Sequence, residues 1–154
     1  MDIAPCIWFD GAALEAAEFY CSVFPNSSVG STMRNPNGSP LLVTFTLDGH
    51  PFQALNGGAH FRPDEAISFV VPCDGQDEVD RYWDALLADG GEESMCGWLK
   101  DRYGVSWQVV PTQMEELFAD PDPARVERMT EAMLQMRKLD LAALRAAADG
   151  TSTT

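Results

Sequence analysis

Apolar positions change their spacing several times along the chain, and each change marks an element. IAPCIWF, residues 3–9, is rich in β-formers and stops at Asp10-Gly11, a turn signal and candidate helix cap. Leu14, Ala17, Tyr20 or Cys21, and Phe24 then recur every three or four residues. That spacing predicts a helix with one apolar stripe, ended by Pro25-Asn26. SSVGSTMR and LLVTFTLDG read as strands around NPNGSP, a loop of turn-forming residues. Asp48-Gly49 makes a further turn and PFQALN a further strand, so the order is β, α, β, β, β.

The order then recurs. AISFVVPC, residues 66–73, reads as a strand, and Asp74-Gly75 echoes Asp10-Gly11. Val79, Tyr82 and Leu86 line a second helix that Gly90-Gly91 closes. A short strand around residues 93–96, then GWLKDR and VSWQVVP, complete the set. GHPFQAL and GVSWQVV share the pattern Gly-x-x-aromatic-Gln, with Gly49 over Gly104 and Gln53 over Gln108 at an offset of 55. The helices align at 63, Phe19-Tyr20 over Tyr82-Trp83, and the longer NPNGSP loop accounts for the difference. Two modules of one design are expected, at about residues 1–62 and 63–112.

Beyond these, about residues 113–148 read as helices, with Asp122-Pro123 offering a cap and a first-turn proline. Val126, Met129, Met133 and Met136 share a face. A methionine stripe of this kind reads as helix packing, since methionine fills irregular core space, with a partner or an apolar ligand as the alternative.

Composition narrows what such a protein does. At 154 residues, 45% hydrophobic and 22% charged, the chain suits one folded domain. A formal charge of −14 repels polyanions and argues against nucleic acid as a partner. No apolar run approaches the roughly 18 to 20 residues of a membrane helix, and the first residues lack the pattern of a secretion signal. A cytoplasmic location without membrane partners is therefore expected. Cys6, Cys21, Cys73 and Cys96 form no CxxC pair and read as small buried hydrophobes.

Several separated stretches, in order, carry a resemblance: PCIWFDG, AEFYCSVFPNS, VTFTLDGHPFQALNGGAHF, AISFVVPCD, DEVDRYWDALL, CGWLKDRYGVSWQVVPT and ADPDPARVERMTEAMLQM. Together they resemble the PhnB-like branch of the vicinal oxygen chelate superfamily, which includes glyoxalases, bleomycin-resistance proteins and extradiol dioxygenases. The resemblance implies an α+β fold: tandem βαβββ modules forming curved half-barrel sheets around a cleft, plus C-terminal helices, often as a homodimer. In metal-dependent relatives four ligands, usually His and Glu, come from the first and last strands of the modules. Those positions fall near Ile3, Gln53, Ala66 and Gln108. Amides and aliphatic side chains do not make a Zn, Ni or Fe centre, so neither metal nor cofactor is expected. The branch is also labelled demethylubiquinone methyltransferase, yet no glycine-rich strand-to-helix loop supports that chemistry.

The remaining polar candidates surround the expected cleft. Gln53 and Gln108 either bind a ligand or satisfy each other and the backbone within a core. Asn56, His60 and Arg62 lie on NGGAHFRP, where His60 could transfer protons and Arg62 could hold an anion, or the loop is a solvated connector. Cys96 is a weak nucleophile candidate. Trp98 and Lys100 share one strand face and suit a planar anion, although such pairs also occur as surface packing. Trp8, Trp98 and Trp107 are candidate aromatic walls, or core. The sequence thus favours a protein that binds a small, partly aromatic or anionic molecule, with a metal-independent enzyme as the alternative.

Overall fold

A computed structural model describes residues 3–151. The chain divides into two compact units, with the boundary between Asp64 and Glu65. In the first, β1 (Cys6–Phe9), α1 (Ala13–Val23), β2 (Ser28–Arg34), β3 (Pro40–Leu47) and β4 (His50–Asn56) follow the expected order. The sheet order is β1-β4-β3-β2, with β1 parallel to β4 and the other pairs antiparallel. Asp48 and Gly49, both at positive φ (46° and 77°), close the β3–β4 hairpin in the backbone sense that matches strand twist.

Alternation along the strands sorts side chains between two faces. Ile7, Phe9, Val43, Phe45, Leu47 and Ala54 are buried, and α1 packs over β3 with Ala13, Ala16, Ala17 and Tyr20 buried. The buried stripe is rotated from the expected one, leaving Leu14 and Cys21 only half-buried. Three alanines let the helix axis approach the sheet, and Tyr20 fills the remaining depth by stacking on Phe45 at 6.2 Å.

The second unit repeats the plan with β5 (Ser68–Cys73), α2 (Gln76–Leu87), β6 (Glu92–Glu93), β7 (Trp98–Lys100) and β8 (Ser106–Pro111). Its order is β5-β8-β7-β6, again with the first strand parallel to the last. Two first strands start later than expected: Ile3 precedes β1, and Ala66 lies in a turn before β5. The strand expected over residues 93–96 shrinks to Glu92–Glu93, because Cys96 and Gly97 turn the chain at φ 59° and 82°.

Three helices follow: α3 (Met114–Phe118), α4 (Pro123–Met133) and α5 (Leu141–Asp149). Asp122 caps α4, accepting from the Ala124 N–H at 3.0 Å, with Pro123 in the first turn. Met114, Met129, Leu139, Leu144 and Ala148 form a core against which Met133 and Met136 pack, so the methionine stripe holds these helices together. The segment between α4 and α5, with the first residue of α5, is tied to the second sheet and α2 by side-chain and backbone hydrogen bonds. Gln76 Nε2 donates to the Leu139 carbonyl (3.0 Å), and its Oε1 accepts from the Leu141 N–H (2.9 Å). The N–H groups of Cys96 and Gly97 donate to the Met136 and Arg137 carbonyls, both at 2.7 Å.

The cysteines differ from expectation. Only Cys73 is buried; Cys6 is exposed, and Cys21 and Cys96 are half-buried. Cys6 alternates with Ile7, so its thiol lies on the face away from α1. Burial, with a smaller contribution from Glu78, pushes the Cys73 thiol up to about 11, which makes it inert as a nucleophile. No helix of the described residues is long and apolar enough to cross a membrane.

Candidate functional site

The sheet faces away from α1 and α2 carry the polar candidates. On the first, Gln53 sits opposite Cys6 in β1 and Thr44 in β3. It borders a shallow cavity of about 200 Å³ lined by residues including Ala4, Ser28, Thr44, Thr46 and Pro51. The hydroxyls there are mutually satisfied: Ser28 and Thr46 lie 3.2 Å apart, and Thr44 Oγ1 accepts from the Ser31 N–H at 2.9 Å. Among the described residues, no charged side chain lines this cavity.

Gln108 occupies the matching place on the second sheet, opposite Val70 and Trp98. Its Nε2 donates to Ser68 Oγ at 2.9 Å. The equivalent position before Gln53 is Ala4, which has no hydroxyl to offer. The duplicated glutamines have therefore diverged: one amide is anchored to a strand neighbour, and the other borders open space. Ile3, 97% exposed, and Ala66 do not take the places opposite the glutamines. Cys6 and Val70 do so because β1 and β5 pair in that register, with Ala4 and Ser68 two residues before them.

These residues do not fit the divalent centre of metal-dependent relatives. The strand positions offer neutral amides, one hydroxyl and one thiol, without the imidazoles and carboxylates that hold Zn, Ni or Fe. Among the described residues no three of His, Cys, Asp and Glu come together in a metal-binding group.

Several candidates have structural work. Asn56 Oδ1 accepts the Ala13 N–H at the start of α1 (2.9 Å), while Nδ2 donates to the Pro40 carbonyl (3.0 Å). Asp10 is not the cap; α1 has no side-chain cap of its own, and a strand residue 43 positions away supplies the acceptor. Trp8 Nε1 donates to the Gly58 carbonyl at 2.7 Å, and its ring meets Phe61 edge-on at 5.1 Å. Gly57 lies so close beneath that a Cβ there would stand 2.0 Å from the indole. Trp8 is thus a strut under the loop rather than an open wall. Gly57→Ala is expected to expel the indole from its seat and destabilise the first unit by about 2 kcal/mol. A red-shifted tryptophan emission, absent in the Gly58→Ala control, would check it.

His60 and Arg62 are exposed on the loop after β4, and neither lines the Gln53 cavity. Cys96 anchors the C-terminal segment through its backbone, and both histidines of the chain belong to the other unit. Trp107 is 2% exposed, packs on Phe69 at 5.3 Å and donates to Asp101 Oδ2 at 2.8 Å, so it is core.

Trp98 and Lys100 do share the open face, and the structure adds neighbours. Lys100 pairs with Glu65 at 2.5 Å and lies opposite Ser106 in the ladder. Glu65, Glu92, Ser94, Trp98, Lys100 and Ser106 line a cavity of about 140 Å³ together with Glu93 and Leu99. The bond to Lys100 holds the Glu65 carboxyl below its ordinary range. Ser106 is 1% exposed, and its hydroxyl has no hydrogen-bond partner among the described residues. Sequence reasoning missed Ser106, although alternation continued past the hairpin reaches it two residues before Gln108. Glu65 left no such signal, since it meets Lys100 only through the fold.

The duplicated strand-helix-strand-strand-strand plan is the fold of the vicinal oxygen chelate class. Within that class the chain belongs to the family described as 3-demethylubiquinone-9 3-methyltransferase, which matches residues 1–110. A PhnB protein from Bacillus cereus is 32% identical, with a TM-score of 0.65, covering 73% of this chain and all (100%) of its own. PA1353 from Pseudomonas aeruginosa shares the fold at 18% identity and TM-score 0.60, covering 72% of this chain and 97% of its own. So does FosX from Listeria monocytogenes, a fosfomycin resistance protein complexed with Mn(II) and sulfate. It is 12% identical with TM-score 0.56, covering 76% of this chain and 94% of its own. No curated protein matches the chain in sequence.

Proposed function

We propose that this protein binds a small, partly aromatic or anionic molecule on the open sheet faces, without the superfamily's divalent metal. The observation that carries the reading is the second face, where an indole, an ammonium and an amide (Trp98, Lys100, Gln108) stand in adjacent ladder positions. An aromatic surface beside a cation suits a planar acid, and a neighbouring amide adds directional hydrogen bonds. Neutral residues at the superfamily's metal positions support the metal-free part. The alternative, a metal-independent enzyme acting through His60 or Cys96, gains nothing from their positions on an exposed loop and a structural turn. The reading extends to a homodimer acting in the cytoplasm, with the two modules and the helices forming a single domain.

A thermal-shift panel of aromatic acids, antibiotics and short oxo-compounds tests the binding. At least one class is expected to raise the melting temperature by about 3 °C or more at saturating ligand. Uniform silence across the panel would overturn the reading. Elemental analysis is expected to find no stoichiometric transition metal; one metal per chain, lost in Gln53→Ala or Gln108→Ala, would refute the metal-free part.

A further inference from the structure

The Lys100 cavity holds two features that its role as an aromatic-cation surface does not explain. The first is Ser106. A hydroxyl removed from water without a partner is costly, and native proteins rarely tolerate one unless water or a ligand meets it. The second is Glu65. It sits in a turn, 63% exposed on its side chain, and its carboxylate reaches the Lys100 ammonium. Exposed ion pairs contribute little to stability, so this contact is easily exchanged.

We propose that Glu65 is an internal stand-in for the ligand's acid group, and that this face binds a carboxylate which displaces Glu65 from Lys100 and accepts a hydrogen bond from Ser106 Oγ. The inference rests on the small-molecule reading above and adds the ligand's chemical class. A carboxylate already fits against the ammonium, as Glu65 itself shows. Glu92 and Glu93 line the same cavity; Arg137 pairs with Glu93, but the carboxylate charge still opposes every anion beside Lys100, and a dianion most. A monoanion is therefore preferred to a phosphate. At about 140 Å³ the cavity takes a carboxyl group and a small body, which the adjoining Trp98 ring can cover.

Calorimetric titration of the full chain with benzoate, its neutral isostere benzamide and inorganic phosphate provides the test. Benzoate is expected to bind about tenfold more tightly than benzamide or phosphate, the difference one charge-assisted hydrogen bond makes. Glu65→Gln, which removes the competing carboxylate, is expected to tighten benzoate about fivefold and benzamide by less, since only the acid also loses a like-charged neighbour. Lys100→Met abolishes the preference for the acid. Ser106→Ala weakens benzoate severalfold while the ligand-free protein melts no lower than wild type, a combination that a purely structural hydroxyl would not give.

Equal binding of benzoate and benzamide, or a Glu65→Gln variant no tighter than wild type, overturns the stand-in and leaves the small-molecule reading intact. Phosphate binding tighter than benzoate overturns the carboxylate assignment. Silence of wild type and Glu65→Gln towards benzoate, with another compound stabilising the protein, refutes this subsite alone. Silence towards the whole panel refutes both readings.

Discussion

Asp101→Ala is expected to lower the unfolding free energy by about 4 kcal/mol, the cost of stranding several buried donors at once. Asp101, directly after β7, is 3% exposed. Its Oδ1 accepts from the N–H groups of Tyr103 (2.8 Å) and Val105 (3.1 Å), and its Oδ2 accepts from Trp107 Nε1 (2.8 Å). One carboxylate thus shapes the β7–β8 hairpin and fixes the indole beneath it. Alanine removes the acceptor from all three, whereas asparagine keeps an oxygen for the two backbone donors. Asp101→Asn should therefore cost less, about 2 kcal/mol. Denaturant titration followed by tryptophan emission measures both, because Trp107 is itself a reporter. Equal midpoints for wild type and Asp101→Ala would show that the hairpin does not depend on this carboxylate.

Gly97→Ala carries the second large effect, about 3 kcal/mol, as the sum of backbone strain and collision. Gly97 sits at φ 82°, and a Cβ there would stand 2.9 Å from the Val109 carbonyl oxygen and 3.1 Å from Leu139. Its backbone is held on both sides, donating to the Arg137 carbonyl (2.7 Å) and accepting from the Val109 N–H (2.8 Å). The added carbon cannot turn away from the β8 main chain. Gly104 separates the two contributions, since it has nearly the same φ, 84°, and a Cβ there would meet no described atom within 4 Å. Gly104→Ala should cost about 1 kcal/mol, the strain alone. If the two variants unfold at the same denaturant concentration, the contact with Val109 and Leu139 carries no weight.

Both modules, the order of elements along each and the helical end were legible because each rests on local periodicity and turn chemistry, whereas the order of strands within the sheets is not a local property. The glutamine register was legible too, since GxxΦQ recurs at a fixed offset. Asn56 was misleading: a polar residue after a strand looks available, but its partners, Ala13 and Pro40, come from distant parts of the chain. Trp8 and Trp107 resemble Trp98 in sequence, and only the pleat and the neighbouring carbonyl or carboxylate separate strut and core from open face. Strand starts slipped by two or three residues because Ile3 and Ala66 are β-compatible in composition yet find no ladder partner.

The ties between Gln76, Gly97 and the segment around Leu139 set an order of events during synthesis. The first sheet finds its strand partners and its helix before Glu65, so it can close while the rest is still being made. The second cannot. Gln76 waits for backbone partners more than sixty residues further on, and Gly97 for one forty residues on. The last hydrogen bonds of the second unit therefore form only once the segment around Leu139 has been made.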